Sequence, residues 1–310
     1  MEMVLPWDVD RKILFDYLAH CVKYPGYKIP WAPLIQSVEG VGKGLIKRVM
    51  TNAVGAPYAY FPKAQELIES GSKFNAWMRS RLFILVDEIK VDEKRDMIEI
   101  LKPMISEETI EIQAKGIDQD IEDNFANWMF YSNYKDAIPI NKNSRRFAIF
   151  YSAIQNASDL QQRGMTEQYF AGLYDWARNG GDAYVTHWLM NYPIERGAVP
   201  MRAPNTTSTH EAVRQSRGPV EIAILEAIQD GLPGFRGGWI SSQAVANRIK
   251  GTPTRSVSAK TLGAICEVLG YHLIGRAPRP YFSENKDTRA DLYAMDRNAR
   301  VEDFAAWQGY

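Results

Sequence analysis

Apolar residues recur at helical spacing through Ile13, Leu14, Tyr17, Leu18 and Cys21, which predicts an amphipathic first helix ended by Pro25 and Gly26. Beyond it the period changes. Residues Ala32 to Val38 form a short apolar run that predicts a strand, followed by a glycine-rich turn and a helical stretch through Leu45, Ile46 and Val49. A second run, Leu82 to Val86, is apolar without a break and ends on Asp87-Glu88, as expected of a central strand covered on both faces. An acidic helical stretch follows from about Asp92 to Met104. Further strands are expected at Thr109 to Gln113, Asn127 to Tyr131 and Phe147 to Tyr151. Strands alternating with helices predict an α/β sheet.

The pattern lapses from Gly197 to Gly218, where proline, threonine, serine and asparagine cluster without periodicity. This predicts a linker over 197–217 between a first domain, 1–196, and a smaller second one, 218–280; the tail 281–310 carries no assignable pattern. Within the second domain, Val220, Ile224, Leu225 and Ile228 mark one helix face, a glycine- and proline-rich turn leads to Trp239-Ile240, and two short helices follow. Ser241 or Ser242 is expected to cap the first of these and Ser258 the second, with Tyr271 to Ile274 as a closing strand. This is the outline of a winged helix-turn-helix.

The length of 310 residues and a hydrophobic share of 45% allow one large domain and one small one. Lys+Arg and Asp+Glu are both 37, so any nucleic-acid contact rests on local basic patches. One such patch lies between Phe235 and Arg279, where Arg236, Arg248, Lys250, Arg255, Lys260, Arg276 and Arg279 face a single acid, Glu267. Trp239 within it stacks a base or anchors the wing. Cys21 and Cys266 are far apart and the four histidines are scattered, so no structural zinc is expected. Charges in the first twenty residues exclude a signal core, no run is long enough to span a bilayer, and a cytoplasmic location is expected.

Chemistry concentrates at the strand ends. In the turn Ser37-Val38-Glu39-Gly40-Val41-Gly42-Lys43-Gly44, the two inner glycines would let backbone N–H groups close around a phosphate chain, and Lys43 would reach the β and γ phosphates. Glu39, Val41, Gly44 and Leu45 complete the nucleotide-binding stretch. The full pattern asks for Gly at 37 and for Ser or Thr at 44. The hydroxyl missing at 44 ordinarily ligates Mg²⁺, so the metal would lean on Asp87, on water and on the nucleotide. Glu88 would polarise the attacking water. Asn133, at another strand end, can touch the γ phosphate, and Arg145 or Arg146 can neutralise transition-state charge across a subunit interface.

This order of P-loop, Asp-Glu strand, basic hairpin, Asn at a strand end and Arg-Arg-Phe resembles the superfamily 3 helicases, in particular the helicase portion of phage and plasmid primase-helicases related to the poxvirus enzyme. The resemblance covers about residues 7–195. It implies a P-loop NTPase core of AAA+-like fold with a C-terminal winged-helix-like domain, ATP and Mg²⁺ as ligands, a hexameric or other ring, and movement on single-stranded DNA. By position, Gly40, Gly42 and Lys43 look like motif A, Asp87 and Glu88 like motif B, Asn133 like the sensor, and Arg145 or Arg146 like the arginine finger. Lys115 falls where the family has its pore hairpin, as a DNA-gripping residue or a plain hairpin lysine. No primase site is visible, so priming would come from a partner or a fused domain. An ATP-dependent initiator or loader and a noncatalytic DNA-binding scaffold stand as alternatives.

Overall fold

The computed structural model describes residues 1–64, 67, 75–90, 95–113, 119–140, 144–250, 256–282 and 289–308. The chain divides into two compact units, Met1–Ser216 and Arg217–Tyr310.

The first unit is mixed α/β around a parallel sheet. Its strands are β1 (Ala32–Gln36), β2 (Ala59–Tyr60), β3 (Phe83–Val86), β6 (Asn127–Ser132) and β7 (Phe147–Tyr151), in the order β2-β3-β6-β1-β7. All four pairings are parallel, with Leu34 opposite Phe130 and Ile149, and Leu85 opposite Met129. A strand covered on both faces must be apolar at every position, and the side chains of β3 divide accordingly. Ile84 and Val86 join one core with Leu34, Trp128, Phe130 and Ile149, closed by Leu101, Met104 and Ile105 of α3 (Arg95–Ser106). Phe83 and Leu85 join the other with Ile35, Met129, Tyr131 and Phe150, closed by α1 (Asp8–Lys23) and α2 (Gly44–Val54). Each fully buried side chain of this size contributes roughly 1.5–3 kcal/mol. An antiparallel pair, β4 (Thr109–Ile112) with β5 (Asp120–Asp123), stands apart from the sheet. Lys115 lies outside the described residues.

After β7 come α4 (Ala157–Gln162), α5 (Glu167–Trp176), α6 (Asp182–Asn191) and α7 (Thr209–Gln215). The stretch expected to be a linker is folded into the first unit instead. The Thr207 N–H and hydroxyl donate to the two carboxylate oxygens of Asp10 at 3.0 and 2.6 Å, and Ser208 Oγ accepts from the Tyr151 N–H at 2.8 Å. Ala212 of α7 is buried in the core with Ile149 and Tyr151. Its hydroxyls act here as hydrogen-bond partners for a sheet edge, which composition alone reads as loop.

The second unit runs α8 (Pro219–Gln229), β8 (Trp239–Ser241), α9 (Ser242–Ile249), α10 (Ala259–Val268), β9 (His272–Arg276), β10 (Asp291–Ala294) and α11 (Phe304–Gln308). Its antiparallel sheet has the order β8-β10-β9. The central strand, β10, comes from the tail that carried no pattern. Ser258 caps α10 by accepting from the Thr261 N–H, whereas Ser241 makes no such bond and Ser242 Oγ accepts from the Asp291 N–H at 2.8 Å. Trp239 is buried edge-on against Phe304, which excludes it from stacking on a base in this conformation.

Candidate functional site

The parallel sheet sets the site, because parallel strands deliver all their C-terminal ends to one edge. The centre of that edge is formed by β3, β6 and β1. Past Gln36 the chain stays tied to β6 by the Ser37 N–H, which donates to Ser132 O at 3.0 Å, and then turns into α2. Gly40 and Gly42 take φ of 80° and 84°, a backbone region that side chains other than glycine rarely adopt. Val41 between them is buried with Ile154 and Met165, fixing the turn to the body of the unit.

Lys43 and Asn133, which are 90 residues apart, meet at this edge: Lys43 Nζ donates to Asn133 Oδ1 at 2.6 Å. Asn133 Nδ2 in turn donates to Glu39 Oε1 at 3.4 Å. Burial holds the Lys43 ammonium below the ordinary lysine range, while Asp87, Glu88 and Glu39 pull it back up. The loop therefore holds a half-buried cation among three carboxylates. Such a cation gains a strong partner when a phosphate chain enters.

Asp87 and Glu88 follow β3. Lys47, one turn into α2, places Nζ 2.9 Å from Asp87 Oδ2, with both side chains about one-third exposed (31% and 34%). The pair adds only about 0–1 kcal/mol in such a setting, and its chemistry matters more than its strength, since an ammonium already sits at Oδ2 while Oδ1 accepts from the Glu88 N–H. Asp87 thus fits a cation at Oδ2. Among the described residues, no three His, Cys, Asp or Glu side chains gather for a metal. A nucleotide-bound Mg²⁺ needs fewer, because it takes one or two protein oxygens together with phosphate and water.

Glu88 is exposed and holds φ of 57°, in the left-handed region. The residues on either side enforce this. Its own N–H donates to Asp87 Oδ1 at 3.1 Å, while the Ile89 N–H donates to Tyr131 O at 2.9 Å and the Ser132 hydroxyl donates to Ile89 O at 2.7 Å. Ile89 is fully buried, so the kink throws the Glu88 side chain outward from the strand end.

Arg145 and Arg146 are not gathered with these groups. They immediately precede β7, which pairs with β1 in parallel from Ala32↔Phe147 to Gln36↔Tyr151, so they stand at the opposite edge of the sheet. Arg146 Nε donates to Ser106 Oγ at 3.2 Å, whereas Arg145 is exposed.

Sequence reasoning missed the cover over the loop. A Cβ on Gly42 would stand 3.2 Å from the Phe170 ring, and one on Gly44 would stand 3.0 Å from Tyr174 Oη, both side chains belonging to α5. Beneath this cover lies an apolar cavity of about 260 Å³, lined in part by Val4, Leu5, Leu45, Ile46, Leu173 and Trp188. The one sequence signal was the aromatic and aliphatic spacing of Phe170, Leu173 and Tyr174, which periodicity assigns simply to a helix face.

Residues 35–146, which hold the last two residues of β1, the turn, Asp87, Glu88 and Asn133, match a family of unknown function, DUF5906. No curated protein matches the sequence. Among solved structures, the apo structure of the NrS-1 C-terminal region (305–718) superposes with a TM-score of 0.63 at 14% identity, covering 95% of this chain and 73% of that one. The A form of the same region gives 0.64 at 15% identity in one structure, with 95% and 73% covered, and 0.65 at 15% in another, with 95% and 74% covered. At this identity the likeness is one of fold, and it extends over nearly the whole of this chain.

Proposed function

We propose that the chain is an ATP-hydrolysing DNA motor of replication, a P-loop NTPase of superfamily 3 helicase type. The observation that carries the reading is the convergence of Lys43, Asn133, Asp87 and Glu88 at the C-terminal ends of three adjacent parallel strands, beside a turn whose two positive-φ glycines open onto the N-terminus of α2. A helix N-terminus with free N–H groups and a nearby ammonium is a phosphate site.

In this reading Lys43 leaves Asn133 for the β and γ phosphates, and Asn133 becomes the sensor of the terminal phosphate. Lys47 would give up Asp87, which would then hold the Mg²⁺ carried with ATP; the metal would supply neutralisation of phosphate charge. Glu88, turned out by its left-handed backbone, accepts the proton of the attacking water. The apolar cavity beside the loop takes the base. Arg145, exposed at the far edge of the sheet, serves the nucleotide of a neighbouring subunit, which calls for a ring. The second unit acts as a winged helix whose exposed Arg236, Lys250, Lys260 and Arg279 contact DNA phosphates. Priming comes from a partner or a fused domain.

The test is ATP hydrolysis with and without single-stranded DNA, together with strand displacement on a forked duplex. Native protein is expected to hydrolyse and unwind, and Lys43→Ala to do neither while remaining folded. A folded Lys43→Ala protein with native hydrolysis would remove the reading. Hydrolysis without displacement would instead point to an initiator or loader.

A further inference from the structure

The phosphate turn departs from its usual pattern at Gly44, where a serine or threonine hydroxyl would be expected. Conformation does not demand glycine there. Gly44 opens α2, follows a residue in the right-handed helical region and is absent from the residues with positive φ, so any L-residue fits its backbone. What crowds the position is the side chain of Tyr174. A Cβ built on Gly44 would stand 3.0 Å from Tyr174 Oη and 4.0 Å from Tyr174 Cζ, so the phenol meets the position end-on, with its oxygen foremost.

We propose that the Tyr174 hydroxyl, reaching over from α5, supplies the metal-side oxygen that the turn lacks at Gly44. The inference rests on the nucleotide-site reading above. A phenol and a serine hydroxyl offer a hard cation the same thing, a neutral oxygen with two lone pairs whose proton can turn to a phosphate oxygen. The location agrees as well. Tyr174 meets α2 at Gly44, its first residue, and one turn on Lys47 places Nζ 2.9 Å from Asp87 Oδ2, so the phenol and the Asp87 carboxylate both face the N-terminal end of α2. Because the oxygen arrives from α5 rather than from the turn, the metal side of the site is complete only while α5 lies over it.

The experiment exchanges the two hydroxyls. A non-hydrolysable fluorescent ATP analogue is titrated into the full chain with Mg²⁺ and, separately, with EDTA. Native protein binds more tightly with Mg²⁺ than without. Tyr174→Phe should lose on the order of tenfold in affinity in the Mg²⁺ arm, the scale seen when groups around a metal are removed, and keep its native affinity in the EDTA arm. Gly44→Ser on its own crowds Tyr174 and should weaken Mg²⁺-dependent binding. In the Gly44→Ser/Tyr174→Phe double variant the oxygen is back on the turn and the crowding is gone, so the Mg²⁺ increment should return. A native Mg²⁺ increment in Tyr174→Phe overturns the proposal, and so does an equal loss in both arms, which would mean that the ring only packs against the nucleotide. Native protein that binds in neither arm overturns the nucleotide site itself.

Discussion

Replacing Glu88 with glycine should stabilise the first unit while removing hydrolysis. The perturbation isolates backbone strain, because Glu88 holds φ of 57° and its side chain is exposed at the end of β3. An L-residue in the left-handed region costs roughly 1–2 kcal/mol, and the extra freedom of glycine in the unfolded chain takes back roughly 0.5–1 kcal/mol. Little is lost in packing. The net expectation is a gain of about 0–1.5 kcal/mol, which for a unit of this size raises the midpoint by up to roughly 6 °C. Glu88→Gln keeps both the strain and the side-chain shape, so its midpoint should stay at the native value. Both variants should bind ATP and fail to hydrolyse it. Thermal denaturation followed by far-UV circular dichroism, paired with phosphate release, reads both quantities. A glycine variant less stable than native protein would refute the strain reasoning, since the side chain would then be contributing to folding; native turnover in either variant would refute the catalytic role.

Two further outcomes follow from the geometry. Since Arg145 stands at the sheet edge opposite Lys43, an Arg145→Ala subunit should bind ATP normally yet lose hydrolysis, on the order of a thousandfold, and should recover part of it when mixed with Lys43→Ala subunits; absence of rescue for both Arg145→Ala and Arg146→Ala would rule out a finger supplied in trans. Burial pushes Lys28 from the ordinary lysine value of 10.5 down to about 7, with its Nζ on Met104 O at 3.0 Å. The unfolded chain therefore holds the extra proton between these values, and stability should rise with pH from about 7 towards 10.5. Urea midpoints across that range should climb more steeply for native protein than for Lys28→Met, and parallel curves would show that Lys28 titrates normally.

The strands that build the sheet are legible because each is an unbroken apolar run, the signature of a strand buried on both faces. Where burial is incomplete, legibility fails. The two residues of β2, Ala59–Tyr60, sit between Pro57 and Pro62 and pair with β3 only through Phe83 and Ile84, too short a run to show a period. Strand β10 is flanked by charged residues and gains its burial from β8 and β9 on either side, a tertiary fact invisible in the local pattern. The segment 197–216 reads as a linker because its polar residues carry no period, yet Thr206, Thr207 and Ser208 are there to satisfy Ile149, Asp10 and Tyr151 across the chain.

The site was legible as separate motifs and not as an arrangement. Motif order names Lys43, Asp87, Glu88 and Asn133, but only the strand order β3-β6-β1 places the ends of all three strands side by side, so that Lys43 and Asn133 are in contact without any ligand. Nor does sequence show that Lys47 holds Asp87. These two contacts give the site a definite resting state, in which each lysine is paired with a group that the proposed reading would have it release. In the proposed reading, nucleotide with its metal would have to displace both pairs at once. Neither need oppose such binding: the charge-assisted Lys43–Asn133 hydrogen bond would be exchanged for charge-assisted bonds to phosphate, and the Lys47–Asp87 pair is partly exposed and worth about 0–1 kcal/mol. Under the proposed function, pairing of this kind would keep both lysines extended towards the strand ends without opposing binding, and loss of the Lys43–Asn133 and Lys47–Asp87 contacts would be the expected structural signature of ATP binding.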